Sequence, residues 1–245
     1  MQGIILTGGT GSRLSPLTDN CNKHLLDVCG RPMIFYSIAM FVSAGISDVT
    51  LVTNPHQVDD FKKVLSRGVG SQFNPLRIVP QKNKPGIAGS IQMMPPEHRN
   101  GPYMVVLGDN IVGGTVRKYR DIFDEQPDKA LILLSEVQSP EAFGVVHMKD
   151  GQIKSIEEKP KSHDSHWAIT GIYFFPKDLF EVASKSRPSD RGEYEVTDIL
   201  VDYLNQDRLR YEMLEHWWLD AGTHKDLAEV KKRISGEGTE EEADD

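Results

Sequence analysis

The sequence predicts an α/β fold: a Rossmann-like, mostly parallel mixed sheet flanked by helices. Three observations predict it. Strand-like and helix-like segments alternate through the first half of the chain, the rhythm of a parallel sheet with helices on both faces. The second half is richer in strands, which makes the sheet mixed. A glycine-rich turn follows the first strand directly, and in such sheets ligands bind beyond the carboxyl ends of the strands.

In chain order, Gln2–Leu6 is an apolar strand. Pro32–Ala44 reads as a helix with proline at its start, where the missing N–H costs nothing. Asp48–Thr53 is β-branched and strand-like, and His56–Leu65 is helical. Leu76–Val79 is a short strand, Ile87–Met94 a helix, and Tyr103–Leu107 a buried strand ahead of Gly108–Asp109. Strands are then expected at Ala130–Val137, Gly144–Met148, Gln152–Glu157 and Ala168–Phe175. Lys149-Asp150-Gly151 supplies a hairpin turn between the second and third of these. Helices are expected at Lys177–Ser184, Glu195–Asn205 and His224–Ile234.

At 245 residues the chain can bury a substantial core, and 38% hydrophobic with 26% charged residues is the composition of a soluble globular protein. No linker cuts it, so residues 1–234 are expected to form one domain, with two halves that divide at about residue 110. No apolar run approaches the roughly 20 residues of a membrane span, and, with no basic n-region or cleavage-site pattern at the first strand, no signal peptide is expected. Two cysteines need no disulfide framework, and the expected setting is the cytoplasm. Glu237–Asp245 holds six acidic residues of the formal charge of −8, leaving about −2 on the body. This segment reads as a disordered, solubilising tail. The body offers no basic stripe, which argues against nucleic acid as a partner. The chain also lacks the hexapeptide repeats that would build a fused β-helix.

Leu6-Thr7-Gly8-Gly9-Thr10-Gly11-Ser12-Arg13-Leu14 is the strongest local feature. Its glycines let a polyphosphate approach main-chain N–H groups, and Arg13 can add a bidentate cationic contact. It is neither a Walker A loop, for want of the spacing and the lysine, nor a dinucleotide fingerprint, because Leu14 stands where the last small residue belongs. The broken fingerprint disfavours a nicotinamide-dependent oxidoreductase.

The glycine loop is followed by Pro16-Leu17-Thr18 and Asn22-Lys23-His24-Leu25-Leu26. After these come Gln81 with Gly86-Ile87-Ala88, Leu107-Gly108-Asp109-Asn110, and Phe143-Gly144-Val145-Val146. The series continues with Glu157-Glu158-Lys159-Pro160, Thr170-Gly171-Ile172-Tyr173, Arg191-Gly192-Glu193, Glu195-Val196-Thr197-Asp198 and Trp218-Leu219-Asp220-Ala221-Gly222-Thr223-His224. In this order the motifs resemble the sugar nucleotidylyltransferases, most closely the glucose-1-phosphate thymidylyltransferases, over residues 1 to about 232. The resemblance implies the nucleotide-diphospho-sugar transferase fold and a Mg²⁺-dependent transfer of a nucleotidyl group from dTTP to glucose 1-phosphate. UTP or another sugar 1-phosphate is the near alternative, and an inactive nucleotide-sensing homologue the distant one.

The resemblance also implies roles. Leu6, Gly8, Gly9, Thr10, Gly11, Ser12 and Arg13 would hold the nucleotide, with Gln81 and Gly86 reading the pyrimidine. Arg13, Lys23, Lys159 and Asp109 would be the catalytic set, and Asp109 with Asp220 would hold Mg²⁺. Asn110, Gly144, Glu158, Ile169, Thr170 and Tyr173 would line the sugar site. Lys159 and Arg191 would take the sugar phosphate. Glu193 is left without a role, and Trp217 and Trp218 read as packing residues. His163 and His166 lack a third ligand for a metal site.

Some positions depart from the common pattern. His24 stands where many relatives carry glutamine, Phe143 where many carry tyrosine, and Lys82 and Lys84 make the segment after Gln81 unusually basic. A homo-oligomer, dimer or tetramer, is a family expectation. Longer relatives continue past the last helix into a segment that helps form a regulatory nucleotide site, so feedback inhibition is expected to be absent or altered.

Overall fold

A computed structural model of the protein describes residues 1–9, 11–66, 73, 76–81, 86–162 and 164–236. The strands are β1 Gln2–Leu6, β2 Asp27–Val28, β3 Arg31–Pro32, β4 Val49–Thr53, β5 Leu76–Pro80, β6 Tyr103–Leu107, β7 Asn110–Val112, β8 Ala130–Glu136, β9 Gly144–Lys149, β10 Gln152–Glu158, β11 Trp167–Phe175, β12 Leu209–Met213 and β13 Trp218–Asp220. The helices are α1 Ile34–Ser43, α2 Val58–Leu65, α3 Ile87–Gln92, α4 Arg117–Glu125, α5 Leu179–Ala183, α6 Val196–Asn205 and α7 His224–Ser235.

Among the described residues one large sheet runs β10-β9-β11-β6-β1-β4-β5, with β8 against β11 and β12 against β8. Its first half is parallel: β1 pairs with β4 and β6, and β4 with β5. The mixed character enters at β11, which runs antiparallel to β6, β8 and β9. Along β1 and β6 alternate side chains serve opposite faces. Ile4, Leu6 and Val105 join a core under α3, α5 and α6, while Ile5, Met104 and Val106 join another under α1, α2 and α4. A third, smaller cluster of Leu14, Met33, Ile111, Leu227 and Val230 seats α7 over the β7–β13 ladder. No described helix is long and apolar enough to cross a membrane.

Every strand and helix read from the sequence is present, and the differences have local causes. The first helix begins at Ile34 because Arg31 and Pro32 pair with Asp27 and Val28 in a small hairpin. The second begins at Val58 after a 3₁₀ turn at Pro55–Gln57. Glu195 stands outside α6 with extended backbone, which frees it for the site. Helix α4 and strand β12 were not anticipated. The α4 segment is dominated by charged side chains, yet Val116, Tyr119 and Phe123 form the apolar stripe it buries. In β12, Leu209 and Tyr211 alternate with Arg210 and Glu212 and pack on the core. The acidic segment 237–245, Thr10, Lys82, Lys84 and His163 lie outside the described residues.

Candidate active site

The glycine loop leaves the carboxyl end of β1, where the parallel sheet points its chain ends at a ligand. Gly9 and Gly11 take φ of 91° and 67°, a left-handed backbone that favours glycine. Gly11 caps the short 3₁₀ turn Ser12–Leu14, and Thr18 Oγ1 donates to the Gly11 carbonyl at 2.8 Å. Leu14 is fully buried, so Arg13 is presented from an anchored turn.

Asp109 follows β6 and Asp220 ends β13. The short ladder that pairs Asp220 with Asn110, together with a hydrogen bond from Ala221 N to the Asp109 carbonyl (2.9 Å), brings these distant acids together. Lys23 Nζ forms a close ion pair with Asp109 Oδ2, and Asn110 Nδ2 donates to Oδ1 at 3.1 Å. Burial works against the Asp109 charge, but the Lys23 ammonium wins and holds its carboxyl below the usual carboxylate range. Asp220 moves the other way, raised by burial and then by the Asp109 charge. Its Oδ1 is buried with no hydrogen-bond partner. Lys23 itself is raised, the two acids outweighing its burial.

His24 was not assigned a role from sequence, and the structure makes it part of the floor. Asn22 Nδ2 donates to the Thr7 carbonyl at 3.1 Å, so its Oδ1 is the acceptor that faces the imidazole. His24 Nδ1 lies 2.6 Å from that oxygen and therefore carries the proton. Burial, then the Lys23 charge, pushes the ring's pKa down to about 3. An imidazole with a depressed folded-state pKa is stabilising above its unfolded value of about 6.5, and that contribution is lost as pH falls toward 3. We therefore expect stability to fall on acidification through this window with a slope from His24 of up to about 1.4 kcal/mol per pH unit. His24→Gln should flatten the profile. Equal slopes for wild type and variant in denaturant titrations at pH 7, 5 and 4 would contradict this reading.

Two adjoining cavities open along the carboxyl ends of the strands. The first, about 900 Å³, is bounded by Leu6, Gly8, Gly9, Lys23, Gln81 and Asp109 among others. The second, about 550 Å³, is bounded by Arg13, Asn110, Gly144, Glu158, Lys159, Ile169, Tyr173 and Asp220. Gly86, Ile87, Leu107 and Glu193 belong to both walls. The acids therefore stand where the two spaces meet. Gly11 and Ser12 are not among the lining residues; they cap and begin the turn that carries Arg13. Thr170 does not line the second cavity either: it is fully buried in β11, within the register shift between Ile169 and Tyr173.

Gly86 begins α3 with φ of 92°, and a Cβ there would sit 2.4 Å from the Tyr194 carbonyl oxygen and 2.7 Å from Tyr194 N. Ala88 N donates to the same carbonyl at 3.0 Å. The start of α3 and the loop carrying Arg191 thus cross backbone to backbone. Arg191 is not among the residues that bound either cavity, but its Nη2 donates to two that bound the second, Glu195 Oε1 (2.8 Å) and Glu158 Oε1 (3.2 Å), with Glu193 at 4.0 Å. Ser189 Oγ donates to the same Glu195 oxygen at 2.9 Å, so Glu195 rather than Glu193 makes the short contacts that hold this loop. Burial and the Glu195 charge raise the Glu158 pKa, partly offset by Lys159 and Arg191. Lys159 is set by a left-handed backbone (φ 49°) and donates its N–H to the Phe143 carbonyl at 2.9 Å.

Asn110 turns out to be committed to the protein. Its Oδ1 accepts from Gly171 N (2.8 Å) and Trp218 Nε1 (2.5 Å), so it aligns β7, β11 and β13 while presenting one face to the cavity. Trp218 packs on Phe143, ring centroids 5.2 Å apart, and lines the second cavity as well as filling space. His24, Asn54, Ser90, Glu195 and Thr197 also line the walls. Glu195 and Thr197 lay within a recognised motif, whereas nothing in the spacing of Asn54 or Ser90 singled them out.

Known proteins match this arrangement over nearly the whole chain. A family model described as nucleotidyl transferase matches residues 2–237. The glucose-1-phosphate thymidylyltransferase of Mycolicibacterium smegmatis is 36% identical over 239 residues, covering 94% of this chain and 81% of that protein. The enzyme of the same name from Neisseria meningitidis serogroup A is 37% identical over 237 residues, again 94% and 81%. A crystal structure of a Bacillus anthracis protein described as a glucose-1-phosphate thymidylyltransferase, in complex with sucrose, superposes with a TM-score of 0.88 at 38% identity, covering 95% of this chain and 94% of that one. A UDP-glucose pyrophosphorylase complexed with UDP-glucose shares the fold at 20% identity and a TM-score of 0.83. With a glycine loop, a lysine and two acids gathered at the junction of two cavities, and with these likenesses, the chain belongs to the nucleotidyl transferase family and is similar to its glucose-1-phosphate thymidylyltransferases.

Proposed function

We propose that this enzyme transfers the thymidylyl group of dTTP to glucose 1-phosphate, releasing pyrophosphate and forming dTDP-glucose. The observation that carries the reading is the meeting of two cavities at Lys23, Asp109, Asp220 and Arg13. The first cavity has the glycine loop, Gln81 and Gly86 for a nucleotide. An amide side chain beside a backbone edge can pair with the carbonyl and N–H pattern of thymine. The second has Glu158 to accept from sugar hydroxyls, with Lys159 and Arg191 at hand for the phosphate.

The chemistry is an in-line displacement. An oxygen of the sugar phosphate attacks the α-phosphorus, and pyrophosphate leaves from the opposite side, with no nucleophilic side chain required. A phosphate monoester carries about −2 near neutrality, so the barrier is largely the approach of two polyanions. Arg13 and Lys23 would neutralise the reacting phosphates from the nucleotide side and Lys159 and Arg191 from the sugar side. Asp109 and Asp220 fit Mg²⁺: they are two buried carboxylates, one with an oxygen that no protein donor satisfies. A hard cation takes one or two carboxylates plus phosphate oxygens. When bound, Mg²⁺ would supply positive charge at the phosphates; Lys23 would then exchange Asp109 for substrate oxygens.

The proposal extends to one nucleotidylyltransferase domain over residues 1–234, a homo-oligomeric assembly, a cytoplasmic setting and a product that feeds deoxysugar synthesis. The testing experiment offers dTTP, UTP, CTP, ATP and GTP separately with glucose 1-phosphate and Mg²⁺, and measures pyrophosphate release. Fast release with dTTP and slower release with UTP is the expected result. A preference for UTP would keep the mechanism and change the substrate, and silence with every nucleotide while dTTP still binds would favour a nucleotide sensor.

A further inference from the structure

We infer that Gln57, which lines neither cavity, is a positioning residue that locks the glycine loop to the Lys23 turn. The inference rests on the nucleotide occupying the first cavity as proposed above. Gln57 closes the 3₁₀ turn after β4 and is half-buried. Its Oε1 accepts two hydrogen bonds, from Asn22 Nδ2 at 2.6 Å and from Asn54 Nδ2 at 3.0 Å. The same Asn22 nitrogen donates to the Thr7 carbonyl (3.1 Å), and the same Asn54 nitrogen to the Gly9 carbonyl (3.1 Å). Three amides thus form a chain whose ends grip the loop on both sides of Gly8.

Asn22 reaches in a second direction. It caps the 3₁₀ turn Lys23–Leu25, accepting from His24 N at 2.9 Å, and it holds the His24 ring. Lys23 projects from that turn to Asp109. One oxygen of Gln57 therefore fixes the spacing between the main-chain N–H groups of the loop and the Lys23 ammonium. Gly9 has a left-handed backbone and no side chain to anchor it, and its carbonyl is held by Asn54 Nδ2. A carbonyl oxygen has two lone pairs, and both are used here. Losing them leaves Asn22 and Asn54 each with a free N–H that can rotate away from Thr7 and Gly9.

Gln57→Met keeps the length of the side chain and removes the acceptor. We expect its KM for dTTP to rise about tenfold, the effect of about 1.4 kcal/mol, while KM for glucose 1-phosphate changes less than twofold. Asn54→Ala should raise the same KM. If the two residues act as one chain, the double variant will be scarcely worse than the worse single one. Both KM values rising together, no change in either, or single effects that multiply in the double variant would each overturn the inference. Calorimetric titration of dTTP into the same proteins reads the same ratios without turnover. A wild type that binds dTTP, shows this coupling and yet releases no pyrophosphate would count against the assigned reaction and leave Gln57 in its role.

Discussion

Replacing Asp109 by asparagine will lower turnover by about 10³-fold and leave the protein folded. The side chain keeps its shape, and the Asp109 carbonyl still accepts from Ala221 N. The buried Lys23 does not become an unpaired charge, because its second acidic neighbour is Asp220. After burial, the chief cause that raises the Asp220 carboxyl pKa is the Asp109 charge itself. Removing that charge lowers it and leaves the Asp220 carboxylate to balance the ammonium. The thermal midpoint should therefore move by no more than a few degrees. Catalysis has no such substitute, since one carboxylate cannot both balance Lys23 and hold a cation beside the phosphates. The measurement is pyrophosphate release at saturating Mg²⁺ beside a melting curve. Near wild-type turnover would remove Asp109 from the site, and a collapsed melt would make it a structural residue.

Gly86→Ala will damage both stability and activity. The new methyl would have to displace the Tyr194 backbone, which cannot rotate away as a side chain would. The left-handed φ adds strain. Together these should cost about 2–3 kcal/mol, or roughly 5–10 °C in a chain of this size. The displaced strand of loop carries Arg191 and Glu195, so both substrates lose alignment at once. A misplacement of about 1 Å is enough to lower kcat/KM by about 10²-fold. Gly151→Ala is the control. It has a similar φ of 72° and open space at the Cβ position, in a hairpin away from the cleft. It should lose only about 1–2 kcal/mol and no activity. Equal activity losses in the two variants would separate Gly86 from the site.

Much of this was legible in the sequence because the decisive signals were local. Apolar runs such as Tyr103–Leu107 and the glycine turn after Leu6 declare a parallel sheet and its functional end. The meeting of Asp109 and Asp220 was expected from the family resemblance alone, because the three-residue ladder of β7 and β13 that joins them is too short to carry a pattern. The amide chain through Gln57 and the burial of His24 were invisible for the same reason: asparagine, glutamine and histidine in polar turns look like solvent-facing residues until the fold encloses them. The Glu195 contact was legible only as part of a motif, because a carboxylate that holds an arginine has no spacing of its own. Helix α4 is the different case, where the period of 3.6 was present and a dense charge pattern concealed it.

The pairing of β1 bears on how the chain comes to be. Its first neighbour is β4, but its other flank is closed by β6, and β6 is covered in turn by β11. On a ribosome releasing about 5–20 residues per second, the glycine loop emerges first and must wait for Leu107 to be synthesised before its supporting strand has both partners. The cleft waits longer still. Asp220 arrives only after the whole large sheet has been made, so the last ladder to form, β7 with β13, is the one that brings the two acids together. A nascent chain halted before Trp218 can hold a nearly complete sheet and still lack the ladder that brings Asp220 to Asp109.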